Sequence, residues 1–275
     1  MANPIIVDPA PWDAATITGA SCVGSMSLSN ALRPQPSDKV RFTSTDSTYL
    51  ILDNGGSGIG FDTVWIGYHN AYNTNCEMRV RTSNVSAAEC VSNPDHDSGW
   101  YPMPQDYDDI DRRMHTIYHI ATPVTSARYV RIDFFVYDAE GGYFEFGRLV
   151  VGEAWKPSWG VSFGGRFAVE ESSTRLESQG GQIYTRVALK RKTFNGMFQF
   201  VTEDEAWETR EKLSYARGFG APVLFCLDAI EGVTNPPEST VLSSKTIYGV
   251  MSDPLSMNLV GYSYYETSFS ITETP

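Results

Sequence analysis

The sequence predicts a mainly β protein of two domains, the second of which carries one packed α-helix. Three observations lead to that class. Residues 128–152 alternate as a strand does, with Val130, Ile132, Phe134 and Val136 on one face and Arg131, Asp133, Phe135 and Tyr137 on the other. Residues 138–142 then supply turn chemistry, and Tyr143, Phe144, Phe146, Leu149 and Val150 resume the pattern, giving strand, loop and strand. A chain of 275 residues with 23 Gly, 15 Pro and 13% aromatic residues has the composition of many turns between short strands. Finally, a single stretch, residues 202–218, carries convincing helix signals.

Taken in order, residues 1–15 read as an extended arm, because Pro4, Pro9 and Pro11 interrupt helix formation. Short strands are expected at 16–21, 39–42 and 49–52. Residues 53–60 hold four glycines but lack the Lys and Ser/Thr ending of a phosphate loop, and a strand follows where a nucleotide fold needs a helix. That strand, residues 61–68, sets Val64 and Ile66 opposite Trp65 and Gly67. Residues 68–75 read as a polar aromatic loop, and 76–81 as a half-solvated strand. Residues 92–112 form the longest irregular stretch, the length at which loops tend to be functional. Residues 115–120 are a further strand. The segment 129–136, rich in aromatic and β-branched residues and free of Pro, is expected inside a sheet.

Composition changes after residue 152, so a first domain is placed at 16–152 and a second at 153–275, with Arg148, Trp155 and Trp159 marking a packed junction. In the second half Ile183, Val187 and Leu189 share a strand face. In the helix 202–218, Thr202 and Glu205 form a capping box, Gly218 terminates, and Ala206, Leu213 and Ala216 make the packing side. Residues 221–228 read as a buried strand, and 245–251 and 257–272 as terminal strands.

Charge and chemistry exclude several classes. Residues 1–150 carry 18 acidic and 10 basic residues and residues 151–275 carry 15 and 11, so neither half offers a nucleic-acid footprint. No apolar stretch approaches a membrane span, and the N-terminus shows no signal core, so synthesis in the cytoplasm is expected. Cys22, Cys76, Cys90 and Cys226 lack metal-ligand spacing. His115 and His119 lie roughly 13 Å apart along a strand, too far to share one zinc. Asp106, Asp108, Asp109 and Asp111 lack the Gly and closing Glu of a calcium loop. No nucleophile, base and orienter set is visible; neither catalysis, nor a cofactor, nor a metal is expected. The candidate carbohydrate or partner contacts are Tyr68, His69, Asn70 and Tyr72 with Asp97, Trp100 and Tyr101, which combine flat faces with hydrogen-bonding groups. The competing reading is that Tyr68 and Trp100 close the core and the long loop contacts a neighbouring subunit.

Several segments carry a family resemblance. They are PheAspThrValTrpIleGlyTyrHisAsn at 61–70, AspSerGlyTrp at 97–100, AlaArgTyrValArgIleAsp at 127–133, and TyrPheGluPheGlyArgLeuValValGlyGluAlaTrpLysPro at 143–157. AlaProValLeuPheCysLeuAsp at 221–228 and IleTyrGly at 247–249 add to them. The first domain resembles the discoidin or galactose-binding-like jelly rolls, a β-sandwich. The whole chain resembles the two-domain, distal-tail-like tail-tip and baseplate proteins of long-tailed bacteriophages and prophages. The resemblance implies a structural virion protein at the tail tip, assembled as a homo-oligomeric ring about the tail axis, with tail tube, hub and fibres as partners. It implies no catalytic residues. The alternative is a carbohydrate-binding module that contributes to recognition of a host-surface glycan.

Overall fold

The computed structural model describes residues 4–45, 48–56, 58–71, 76–103, 114–137, 142–171, 173–209, 213–214, 217–218, 220–229, 243–252 and 255–274. The chain divides into two compact units, residues 1–156 with 224–246, and residues 157–223 with 247–275. The first unit thus runs past the expected boundary at 152 and takes in a later segment. The reason is strand pairing: Val223–Cys226 returns to lie antiparallel to Ile5–Val7, which also pairs with Ala154–Trp155. The expected arm is therefore a buried strand followed by a short helix, Ala10–Asp13, whose prolines sit at the N-terminal end where a missing N–H costs nothing.

The first unit is a β-sandwich of two antiparallel sheets. One sheet runs Thr16–Gly19, Thr48–Asp53, Tyr129–Val136, Cys76–Ser83 and His96–Asp97, with Tyr101–Pro102 also on Cys76–Ser83. The other runs Arg148–Gly152, Ile59–His69 and Met114–Ala127. Tyr129–Val136 is flanked on both sides, by Thr48–Asp53 and Cys76–Ser83, as its composition requires. Its expected core face is buried: Val130, Ile132, Phe134 and Val136 join Leu50, Leu52, Val64, Ile66, Leu149 and Val151 in one cluster between the sheets. Phe42, Phe134, Phe144 and Phe146 stack at one end of that cluster, at centroid distances of 4.9 to 6.2 Å.

The smaller sheet is buried on its second face as well, since Thr63, Trp65, His115 and His119 are all inaccessible. Segments on either side close over it: the backbone N–H of Ala154 and the Lys156 ammonium bind Asp62, and the backbone N–H of His115 donates to Ser243 Oγ. Gly67 lies under Trp65, and a Cβ there would enter the indole ring. Cys76 and Cys90 are both buried free thiols, so the first unit contains no bridge between them.

Arg148 does not mark a junction. It is fully buried inside the first unit, where its Nη2 donates to both carboxylate oxygens of Asp13 (2.6 and 2.7 Å) and its Nη1 to the carbonyl of Ala31. Trp155 and Trp159 do flank the boundary at 156–157: Trp155 belongs to a strand of the first unit, opposite Ile6, and Trp159 to the second unit, where it is exposed and packs edge-on against Phe200.

The second unit is built on the long strands Lys190–Thr202 and Tyr264–Glu273, with Arg166–Glu171, Thr246–Met251 and Asn258–Gly261 beside them. Phe194, Phe198, Phe269 and Ile271 form its core. The helix is described as Glu203–Thr209, and its capping box is formed: the Thr202 N–H donates to Glu205 at 3.0 Å and the Glu205 N–H to Thr202 Oγ1 at 3.5 Å. Gly218 has φ +50, the left-handed conformation of a helix terminator, and Ala216 lies outside the described residues. One expectation fails here. Ile183, Val187 and Leu189 make no core face, because Thr174–Glu177 and Ile183–Arg186 form a two-stranded hairpin exposed on both sides.

Two stability predictions follow from the buried face of the smaller sheet. Gly67→Ala forces the Trp65 ring from its site and lowers unfolding free energy by about 2–3 kcal/mol, measured by denaturant titration; an unchanged midpoint contradicts the packing. His69 is buried beside Lys39, and burial foremost holds its pKa down at about 3 against an ordinary 6.5. The unfolded chain then binds the extra proton first, so this contribution is complete above pH 6.5 and is lost as pH falls towards 3. Stability measured from pH 7 down to about 5, above the carboxylate range, declines in the wild type and declines less in His69→Gln. Equal slopes would refute a neutral buried His69.

Candidate functional site

The strand Tyr129–Val136 has a second face, and that face builds the site. By register Asp133 lies between Tyr49 and Arg79, Arg131 between Ile51 and Arg81, and Phe135 beside Glu77. With a side-chain period of two, all of these point away from the sandwich core. Asp133 holds two guanidinium groups at once. Its Oδ2 accepts from Arg81 Nε and Nη2 at 3.2 and 2.6 Å, and its Oδ1 accepts from Arg131 Nε at 2.8 Å, with Arg131 Nη2 also 2.8 Å away. Arg131 is laid flat by a third contact, its guanidinium lying 4.0 Å over the Tyr49 ring.

A second pair stands at the sheet edge. Arg79 donates through Nε and Nη2 to the two oxygens of Asp97, and its guanidinium lies 5.9 Å from the Trp100 ring. The hydrogen bonds from Arg79 hold the Asp97 carboxyl down at about 2, so it is ionised at neutral pH. Residues 96–102 are clamped to this edge: Ser98 Oγ accepts from the Val80 N–H at 2.8 Å, the Ser98 N–H donates to the Val80 carbonyl, and Gly99 turns the chain at φ +65 with its N–H on Asp97. Gly is required there because a side chain disfavours that conformation. The first part of the stretch expected to be irregular is thus two short edge strands that fix Trp100.

Three rings line up where the two groups meet. Trp100 packs edge-on against Phe135 at 6.2 Å, and Phe135 lies nearly parallel to Tyr137 at 6.4 Å. They are 44, 47 and 69% exposed, an unusual exposure for three adjoining large rings. Together with Thr45, Thr48, Tyr49, Arg131 and Asp133 they line an open cleft of about 450 Å³.

Of the contacts expected from sequence, Asp97 and Trp100 stand at this surface. Tyr68, His69, Asn70 and Tyr101 do not present themselves to a ligand. Tyr68 is buried against Trp65 and His115, His69 Nε2 pairs with Thr116 Oγ1 at 2.8 Å, and Tyr101 is buried against Tyr118. The Asn70 side chain is spent on the backbone, donating to the Tyr143 carbonyl and accepting from the Glu145 N–H. Tyr72 lies outside the described residues, as do Asp106, Asp108, Asp109 and Asp111. His115 and His119 face Gly67 and Thr63 respectively, and among the described residues no group of three or more His, Cys, Asp or Glu is placed to hold a metal ion. No helix among the described residues is long and apolar enough to cross a membrane.

Sequence reasoning missed Tyr49, Arg131, Asp133, Phe135 and Tyr137 as site residues. The signal was present in the alternation of residues 131–137, where one face carries two charges and two rings.

No protein-family model matches the chain, and no curated protein does. Among solved structures, the chain is similar to the family 32 carbohydrate-binding module of Clostridium perfringens NanJ in complex with galactose, at 13% identity over 54% of this chain and 98% of that one, TM-score 0.38. It is similar to the lectin domain of lectinolysin complexed with Lewis B antigen, at 11% identity over 53% and 96%, TM-score 0.37. It is also similar to chitosan-binding module 1 of a chitosanase/glucanase from Paenibacillus sp. IK-5, at 17% identity over 50% and 93%, TM-score 0.35. The expectation of a tail-tip structural protein is corrected here: these similar structures are carbohydrate-binding modules, a lectin domain and SpGH29, and none of them is a virion, baseplate or tail component.

Proposed function

We propose that the chain is a carbohydrate-binding protein whose cleft lies on the outer face of the larger sheet. The observation that carries this reading is the exposed row Trp100, Phe135 and Tyr137 set beside the fixed Arg131–Asp133 pair. A pyranose ring has an apolar face of C–H groups and a rim of hydroxyls. Flat rings cover the first, and charged hydrogen-bonding groups orient the second. The cleft volume, about 450 Å³, falls in the range of small-molecule sites, ~300–1,000 Å³.

The arrangement is also preorganised, which reduces the entropy lost on binding. Arg131 is held by Asp133 and Tyr49, and Trp100 by the clamped edge segment, so neither must be ordered by the ligand. The described part of the cleft offers rings and hydrogen-bonding groups, and its carboxylate, Asp133, is held by two arginines.

The test is a glycan array probed with the full chain, followed by calorimetry on the ligands retained. Trp100→Ala and Phe135→Ala each weaken binding by about tenfold or more, equivalent to ~1.4 kcal/mol. Both rings are about half exposed, so unfolding free energy changes by less than about 1 kcal/mol. An array on which no saccharide is retained, or affinity indifferent to both substitutions, overturns the proposal.

A further inference from the structure

We infer that the cleft selects a carboxylate-bearing sugar, a uronate or a sialate, and that Arg131 is the residue that selects it; this rests on the carbohydrate-binding reading above. The first observation is a local imbalance of charge. Arg81 and Arg131 share the single carboxylate of Asp133, one on each oxygen, leaving one positive charge in excess at the cleft floor. The three side chains are only 10, 17 and 12% exposed for Arg81, Arg131 and Asp133, so the excess charge is poorly screened by water.

Among the described residues, the acids of this face do not cancel it. Asp97 is already matched by Arg79. Glu77 stands beside Phe135, four residues along the strand from Arg131, which is about 13 Å. The second observation is a donor without a task. Arg131 uses Nε and Nη2 on Asp133, and among the described residues its Nη1 has no hydrogen-bond partner while the side chain lines the cleft. An anionic oxygen arriving there meets a charge-assisted donor that is already oriented, because the guanidinium plane is fixed on Tyr49. The aromatic row then takes the apolar face of the same sugar. A neutral hydroxyl would satisfy the donor but leave the excess charge unanswered.

The experiment measures affinity of the full chain, by calorimetry at low salt, for two pairs of probes: trigalacturonate against its methyl ester, and 3′-sialyllactose against lactose. The inference expects the acid of at least one pair to bind about tenfold or more tightly than its neutral counterpart. It expects that ratio to shrink as salt is raised and to fall to about one in Arg131→Gln. Which pair shows the ratio separates a uronate from a sialate. Neutral and acidic members bound equally, with loss in Trp100→Ala, overturn the inference and leave the carbohydrate-binding reading standing. A ratio that survives Arg131→Gln overturns the role of Arg131. Failure to bind any of the four probes, or any saccharide on the array, overturns both.

Discussion

The Asp133 carboxylate, with an arginine on each oxygen, is the constraint on which the outer face of the larger sheet depends. It sits on a central strand between two neighbours, nearly out of reach of water, in a position where an isolated charge would be costly. Arg81 arrives from the strand Cys76–Ser83 and Arg131 from its own strand, two residues back, so one carboxylate ties the charged row together. Removing it would leave two guanidinium groups close together without a counter-ion, a loss of several kcal/mol by the usual cost of breaking a buried pair, ~3–5 kcal/mol. With Asp133 in place, Arg131 lies flat on Tyr49, and the next outward residues, Phe135 and Tyr137, extend the floor of the cleft to Trp100.

The inward face of the same strand was fully legible in the sequence, because Val130, Ile132, Phe134 and Val136 declare a buried surface by period alone. The start of the helix was legible for a similar reason: Thr202 and Glu205 satisfy each other within three residues. What escaped depends on partners far along the chain. Tyr68, His69 and Asn70 read as a polar loop, yet the strand Ile59–His69 runs through the first two of them, and their partners come from residues 114–116 and 143–145. The reverse error occurred at Ile183, which has the local pattern of a core strand but finds only the other half of an exposed hairpin. Two residues of the present site, Asp97 and Trp100, were visible, because they lie in the long stretch 92–112 and combine a flat face with a hydrogen-bonding group. Phe135 and Tyr137 were placed on the face opposite the core together with Arg131 and Asp133, but candidate contacts were sought in the loops instead, because the exposure of a strand face depends on what covers it.

The resemblance to tail-tip proteins rested on segments that the structure explains as sandwich construction. In AlaArgTyrValArgIleAsp, Arg131 and Asp133 pair across the outer face. In GlyArgLeu, Arg148 is locked on Asp13 and Ala31, tying the short N-terminal helix to the smaller sheet. PheAspThrValTrpIleGly supplies Asp62, which holds Ala154 and Lys156, and Gly67, which makes room for Trp65. Each motif answers a need of the fold, so none of them speaks for assembly into a ring.

The most direct test of the account is an amide and side-chain NMR titration of the full chain with the tightest saccharide from the array. The account predicts that the perturbed signals trace one patch: the Trp100 indole, the rings of Phe135 and Tyr137, the Arg131 Nε–H and the amides of residues 131–137. Perturbations centred on residues 68–71, or spread without reference to the outer face of the larger sheet, would contradict it.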